Sequence, residues 1–133
     1  MGFVNKKIET LVEKAVSDRN YKKQVIVGCL PDEMAKKIKR ELAYNLKGYR
    51  LVVDADCIRH IRRRHPEINL MDFFLIPDII GYADGIKKGS QPKSIVFQRS
   101  IIFDYTCVEV IVEKEKVLRL KTFWVKRKKA KAV

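Results

Sequence analysis

The chain has 133 residues, of which 47% are apolar, so it is long enough for one packed domain and too apolar for a disordered protein. Its 29 basic and 16 acidic residues give a net charge of +13 at pH 7, which favours a nucleic acid as partner, with an anionic membrane surface as the competing one. No apolar stretch approaches the length of a membrane span, and the first residues lack the apolar segment of a signal peptide, so we expect a cytoplasmic protein without a membrane partner.

The first third of the chain predicts two helices around a short strand. An amphipathic helix is expected over residues 3–18, because its apolar side chains recur at helical spacing. The apolar run at residues 25–27 suggests a strand. Pro31 favours the start of a second helix, with Asp32 and Glu33 in its first turn, and Gly48 is a plausible stop for it.

The middle of the chain predicts a short strand at residues 51–53 that leads directly into a helix. Asp54 or Asp56 can cap this helix, and Pro66 ends it at about His65. A further short helix is expected over residues 70–82, with Pro77 as a break or a kink.

The last third predicts strands at residues 94–103, 106–115 and 117–125, which are rich in β-branched and aromatic side chains. Residues 107–113 alternate with period two, and the polar residues 113–116 predict a hairpin. Helices followed by consecutive antiparallel strands are typical of an α+β fold rather than of βαβ units.

Three cysteines, Cys29, Cys57 and Cys107, are far apart in the sequence and each lies in an apolar run. This spacing speaks against a disulfide framework and against a zinc site. We therefore expect buried free thiols in a reducing cytoplasm, and neither a metal nor a cofactor.

The segment from residue 59 to residue 66 contains both histidines of the chain, His60 and His65, among four arginines. Histidine suits proton transfer near neutral pH, and arginine presents a fork of donors that matches phosphate oxygens. Five residues of helix separate the two rings by about 140°, so they do not form the pair that a shared metal requires. Two interpretations stay open. The segment either supplies acid–base catalysis at a phosphate group, or it is a basic helix face that is only exposed to solvent.

Cleavage of RNA without a metal needs few side chains. A base takes the proton of the 2′-hydroxyl, which attacks the adjacent phosphorus, and an acid protonates the leaving 5′-oxygen. Cations and polar donors stabilise the charge of the transition state. The candidate cations are Arg99, Lys121 and Lys87, and the candidate hydroxyl donors are Thr122, Tyr105 and Ser100.

The last predicted strand leaves the position of the cleft open. In a regular strand Lys121 and Thr122 point to opposite faces, whereas a bulge brings both to one cleft. Glu109 is either a base or, as we favour, a cross-strand partner of Lys121 or Arg119. Trp124 either stacks on a base or packs at the rim of the core.

Several segments together resemble one family. They are the run Ile58–Pro66 with its two histidines, residues 72–80 (Asp-Phe-Phe-Leu-Ile-Pro-Asp-Ile-Ile), residues 83–86 (Ala-Asp-Gly-Ile), the strand with Arg99, the strand Tyr105–Val112, and the last strand with residues 120–122 (Leu-Lys-Thr). Over about residues 50–126 the chain resembles the phage- and mobile-element-encoded nucleases of the barnase–EndoU–colicin–RelE superfamily. The resemblance implies an α+β fold of helices followed by an antiparallel sheet, and metal-independent cleavage of RNA.

The resemblance also implies roles for single residues. His65 and then His60 are the acid–base groups, Arg99 contacts the phosphate, and Lys121 with Thr122 forms the polar pair of the last strand. Further residues are expected to bind the nucleic acid: Arg62, Arg63, Arg64, Lys87, Lys88, Tyr105 and Trp124. The expected partners are RNA, either tRNA or mRNA, and an inhibitor or immunity protein.

The sequence and the resemblance together predict one domain over residues 1–133. Residues 1–47 are an N-terminal helical extension, residues 48–126 the nuclease-like core, and residues 127–133 a basic tail. The runner-up function is a non-catalytic basic module that binds nucleic acid, and the third is a partner-binding phage protein whose basic surface meets an acidic protein. Metal-dependent DNA cleavage is disfavoured, because Asp54, Asp56 and Asp84 are scattered.

Overall fold

A computed structural model describes residues 6–127 of the protein. In chain order its elements are α1 (Lys6–Ser17), β1 (Gln24–Cys29), α2 (Asp32–Leu42), β2 (Arg50–Asp54), α3 (Ala55–Arg64), a 3-10 helix (Leu70–Leu75), α4 (Ile76–Gly81), β3 (Gly85–Lys88), β4 (Ser94–Ser100), β5 (Asp104–Val112) and β6 (Val117–Lys126). Residues 3–5 of the first predicted helix and residues 128–133 of the predicted tail lie outside the described residues.

The six strands form one sheet in the order β1-β2-β6-β5-β4-β3. All neighbouring strands are antiparallel except β2 and β6, which are parallel. The α+β class is thereby confirmed, and the three long C-terminal strands and their polar hairpin lie where the sequence places them. Strand β3 was not predicted, because two of its four residues are lysines and one is glycine, so only pairing with β4 makes it a strand.

One hydrophobic core joins the helices to one face of the sheet. The inward side chains of β5 alternate with outward ones, as their period of two predicts. Ile8 and Leu11 of α1 belong to the same buried cluster as Phe123 of β6, and Phe73 of the 3-10 helix rests on Phe123 with ring centres 5.7 Å apart. The described part of the first 47 residues thus supplies an edge strand and core side chains; the domain bounds given above stay a prediction.

Two expectations about the first half of the chain are wrong in detail. Helix α2 ends at Leu42 rather than near Gly48, because Ala43 adopts a left-handed φ of 64° and its N–H donates to the carbonyl of Lys39. Cys29 is exposed rather than buried, whereas Cys57 is half-buried and Cys107 fully buried.

The junction between two short helices lies just before Pro77, close to the break or kink that the sequence predicts there. The 3-10 helix ends at Leu75, and Pro77 lies in the first turn of α4, where no N–H is needed. Asp72 of the 3-10 helix is buried and pairs with Arg127, the first residue of the predicted tail. Arg127 also donates to the carbonyl of Glu67 at 3.1 Å, so the end of β6 is held against the 3-10 helix.

Helix α3 is tied to α1 by one arginine. The guanidinium of Arg59 donates to the carbonyls of Ala15, Asp18 and Tyr21 at 3.1, 3.2 and 2.7 Å. Only 14% of the Arg59 side chain is exposed, and Asp56 pairs with it from the preceding turn. Arg59 therefore satisfies carbonyls at and beyond the C-terminal end of α1 and fixes that helix against α3.

We expect Arg59→Ala to lower the free energy of unfolding by about 2–4 kcal/mol, because three carbonyls lose a charged donor. Urea unfolding followed by circular dichroism measures the change. Arg62→Ala, at an exposed position of the same helix, is the matched control and changes the value by less than about 0.5 kcal/mol. Equal decreases in the free energy of unfolding of the two variants would show that Arg59 does not hold α1 against α3.

Candidate active site

A β-bulge near the middle of β6 brings two polar side chains to one face. Val108 pairs with Thr122 and Glu109 with Leu120, so Lys121 has no partner on β5. Because side chains alternate along a strand, one extra residue reverses the alternation beyond it. The buried side chains are accordingly Leu118 and Leu120 before the bulge and Phe123 and Val125 after it.

The histidine helix lies beside this bulge. Strand β2 pairs with β6 only from Val117 to Arg119, and α3 follows β2 without a loop, so α3 runs along the unpaired remainder of β6. Two contacts mark this edge: the Cys57 thiol donates to the carbonyl of Leu120 at 3.2 Å, and the ring of His65 stacks on that of Trp124. The Asp54 carboxylate caps the start of the helix by accepting from the N–H of Cys57 at 2.7 Å.

A cleft of about 580 Å³ opens between α3 and β6. Its lining residues are His60, Arg64, His65, Lys121, Thr122 and Trp124. The structure thus brings together both histidines and the polar pair that the sequence singles out. The bulge explains how Lys121 and Thr122, which are adjacent in the chain, line the same cleft.

His65 is held by its backbone, at one face of its ring and at one nitrogen. It caps the C-terminal end of α3, where its N–H donates to the carbonyl of Ile61 at 2.8 Å. Its ring lies 5.9 Å from that of Trp124 at an angle of 30°, and its Nδ1 lies 3.6 Å from Oε2 of Glu67. A carboxylate beside Nδ1 orients the ring, with Nε2 on the side away from Glu67.

Glu67 lies next to His65 beside the cleft and was not predicted from the sequence. It follows Pro66, which ends α3 and turns the chain back toward the imidazole. The sequence signal that could have identified Glu67 was its position, two residues after the histidine at the end of the helix. His60 has no comparable partner in Asp56, because Asp56 accepts a hydrogen bond from Arg59, which holds the pKa of that carboxyl below its usual value.

The three consecutive arginines of α3 do not act as one group. Arg64 lines the cleft, one turn beyond His60. Arg62 and Arg63 line a separate groove against α1, which contains Ala15 and Val16. The helix itself lies between the two surfaces.

Arg99 lies outside the cleft of the histidines. Its guanidinium donates to the carbonyl of Tyr82 at 3.0 Å, lies 3.8 Å from the carboxylate of Asp78 and packs over the Tyr82 ring. Strand β4 is two strands from β6, a distance of about 10 Å. Arg99 and Ser100 belong to a second cleft of about 560 Å³, which shares Trp124 with the first.

Three other candidates are also not brought to the histidines. Tyr105 is 5% exposed and stacks on Phe123, so its ring offers no open face to a base, and burial raises the pKa of its hydroxyl. Lys87 and Lys88 lie on β3, three strands and about 14 Å from β6. Lys88 covers the ring of Tyr44 at 5.2 Å.

Glu109 lies in the core beneath the bulge. It is 1% exposed, its Oε2 has no hydrogen-bond partner among residues 6–127, and burial raises its pKa well above the usual value of 4.5. The expected ion pair with Lys121 or Arg119 is wrong, because the bulge sets Glu109 opposite Leu120 and its side chain points inward. Burial also raises the pKa of its neighbours Cys57 and Cys107.

Within residues 6–127 no group of three or more His, Cys, Asp or Glu side chains lies close enough together to hold a metal ion. None of the helices in this part of the chain has the length and apolarity needed to cross a membrane.

A family model matches most of the chain. The model described as phage-Barnase-EndoU-ColicinE5/D-RelE like nuclease3 matches residues 30–132, which include every element from α2 onward. Comparisons with curated proteins and with solved structures give no match.

We expect the buried Glu109 to lower stability as the pH rises. The folded state keeps the proton of Glu109 above pH 4.5, where the unfolded chain releases it, so the free energy of unfolding falls by up to about 1.4 kcal/mol per pH unit until the folded pKa is reached. Glu109→Gln removes this dependence. Urea unfolding of both proteins between about pH 5 and pH 8 measures it, and parallel profiles would contradict a protonated Glu109.

The contact between His65 and Trp124 gives an optical signal, since Trp124 is the single tryptophan of the chain. The His65 ring shields part of the indole from water, so we expect His65→Ala to shift the Trp124 emission maximum to longer wavelength at constant pH. His60→Ala, on the same helix, is the matched control and leaves the emission unchanged. An unchanged emission in His65→Ala would show that the two rings do not stack in solution.

Proposed function

The chain belongs to the phage-Barnase-EndoU-ColicinE5/D-RelE like nuclease3 family, and from this premise we propose that it is a metal-independent endoribonuclease whose acid–base groups are His60 and His65. The observation that carries the proposal is the cleft beside the β6 bulge. It gathers two proton-transfer groups, two cations and a hydroxyl within about 580 Å³. Those are the parts that transesterification of RNA requires.

In the proposed reaction the 2′-hydroxyl oxygen forms a bond to the adjacent phosphorus while the bond from phosphorus to the 5′-oxygen breaks. One imidazole takes the proton of the 2′-hydroxyl, and the other donates a proton to the departing 5′-oxygen. The products are a 2′,3′-cyclic phosphate and a free 5′-hydroxyl. Because DNA lacks the 2′-hydroxyl, the reaction is restricted to RNA.

The remaining cleft residues act on the phosphate and its neighbouring base. Lys121 and Arg64 supply positive charge to the non-bridging oxygens, whose charge grows in the transition state, and Thr122 donates a hydrogen bond. Glu67 orients the His65 ring through its carboxylate, 3.6 Å from Nδ1. Trp124 supplies an aromatic surface for the base beside the scissile bond.

The net charge of +13 supports an acidic polymer as substrate, because phosphates attract such a surface over long range. We propose tRNA or mRNA in the cytoplasm as the substrate. A toxin-like enzyme of this kind needs an inhibitor or immunity protein, and an acidic surface that covers Arg64 and Lys121 fits that role.

We expect the purified protein to cleave total tRNA or a labelled single-stranded RNA in EDTA and to leave DNA intact. His65→Ala and His60→Ala each lower the rate by about 10²–10⁴-fold, because each removes one proton transfer. Lys36→Ala, an exposed position on α2, is the control with wild-type activity. Detection of 2′,3′-cyclic phosphate ends identifies the reaction.

Two results would contradict the proposal. Tight, salt-sensitive binding without turnover in EDTA, magnesium or manganese indicates the non-catalytic nucleic-acid-binding module instead. Unfolding of His65→Ala in a thermal melt makes His65 structural. In that case His65→Gln, which retains a planar polar side chain against Trp124, is the variant that decides: full activity of a folded His65→Gln rules out proton transfer by His65.

A further inference from the structure

A second basic surface lies on the flank of α3 away from the cleft. This arginine groove has a volume of about 290 Å³ and is lined by Ala15, Val16, Arg19, Arg59, Arg62 and Arg63. It contains four arginines and no carboxylate. Arg59 is committed to the carbonyls of α1, as described above, so the free cations of the groove are Arg19, Arg62 and Arg63.

These three arginines are exposed, and no carboxylate of residues 6–127 lies within ion-pair distance of them. Asp56 is the acidic group whose charge reaches Arg63, and it is already paired with Arg59. Like charges three and four residues apart on a helix, as Arg59 is from Arg62 and Arg63, destabilise the folded protein. Such a cluster is therefore suited to an external anion, and guanidinium groups match phosphate oxygens.

The groove and the cleft are separated by a single helix. On a helical wheel Arg62 lies about 160° from His60, so the two point to opposite flanks of α3. A helix with its side chains is about 10–12 Å wide. An RNA strand that lies in the cleft runs along β6. The groove lies on the other flank of α3, so it faces phosphates that are not contiguous with the scissile phosphate.

We infer that the arginine groove binds the phosphate backbone of a base-paired stem, so that the preferred substrate is a folded RNA whose unpaired nucleotides enter the His60–His65 cleft. This inference rests on the proposed function for its substrate. Recognition of paired RNA through its phosphates and shape, rather than through its bases, agrees with a groove that offers arginines and few other donors.

The test compares two RNAs that share one scissile sequence: a stem–loop that carries it in the loop, and a short linear oligonucleotide. The variant combines Arg19→Gln, Arg62→Gln and Arg63→Gln and leaves Arg59 intact. The control combines Lys36→Gln, Lys39→Gln and Lys47→Gln, three exposed lysines on and after α2 that carry the same charge. Thermal melts establish that both variants are folded.

We expect the arginine variant to lower kcat/KM for the stem–loop by about 10-fold or more through KM, while kcat and the cleavage of the short oligonucleotide are retained. For the stem–loop, the slope of the logarithm of the binding constant against the logarithm of salt concentration becomes less negative by about two to three, about one for each lost phosphate contact. The lysine control changes both substrates by less than about 2-fold, because its charges lie away from the bound stem.

Equal losses on the two RNAs, or equal losses in the two variants, would overturn the inference, because the groove would then act only through net charge. If wild type cleaves neither RNA, the proposed function fails, but anisotropy of a labelled stem–loop still tests the groove. Weaker binding by the arginine variant alone supports the groove. Unchanged binding of the stem–loop, or binding of an acidic protein in its place, refutes it.

Discussion

The unpaired residue in β6 is the constraint on which the cleft depends. Without the bulge, Thr122 and Trp124 would lie on the face of the strand opposite Lys121. Phe123 and Val125 would then point out of the core. With it, the core receives apolar side chains on both sides of Lys121, and Lys121, Thr122 and Trp124 line one cleft. A single inserted residue therefore reconciles a continuous core with a polar wall, which is a frequent use of bulges next to active sites.

Helix α3 completes the cleft because β2 stops early. Its pairing with β6 ends at Arg119, and the freed edge of β6 accepts the Cys57 thiol and the ring of His65 instead of another strand. Helix α3 has three faces: an apolar face that packs into the core, a face that lines the cleft and a face that lines the arginine groove. Arg59 fixes its rotation, because a turn about the helix axis would withdraw this guanidinium from the carbonyls near the end of α1.

The same bulge leaves a buried acid with an unpaired oxygen. Glu109 lies beneath Lys121 in the core, where an apolar residue of similar size would give a more stable protein at neutral pH. Buried polar groups without partners are rare in folded proteins, and strained or unsatisfied positions concentrate near functional sites. The structure contains no partner for Oε2 among the described residues that would offset this cost.

Local pattern determined most of the elements and the candidate site residues of this protein. The cap at Asp54, the stop at Pro66, the period of β5 and the pairing of histidines with arginines on one helix all follow from spacing within a few residues. Tertiary structure alone decided what depends on pairing between distant segments: strand β3, the bulge opposite Val108 and Glu109, the burial of Tyr105 and the distance of Arg99 from the histidines. The reason is physical, since side-chain direction within an element follows from its own period, whereas register between strands is set by non-local packing and a slip of one residue reverses every face.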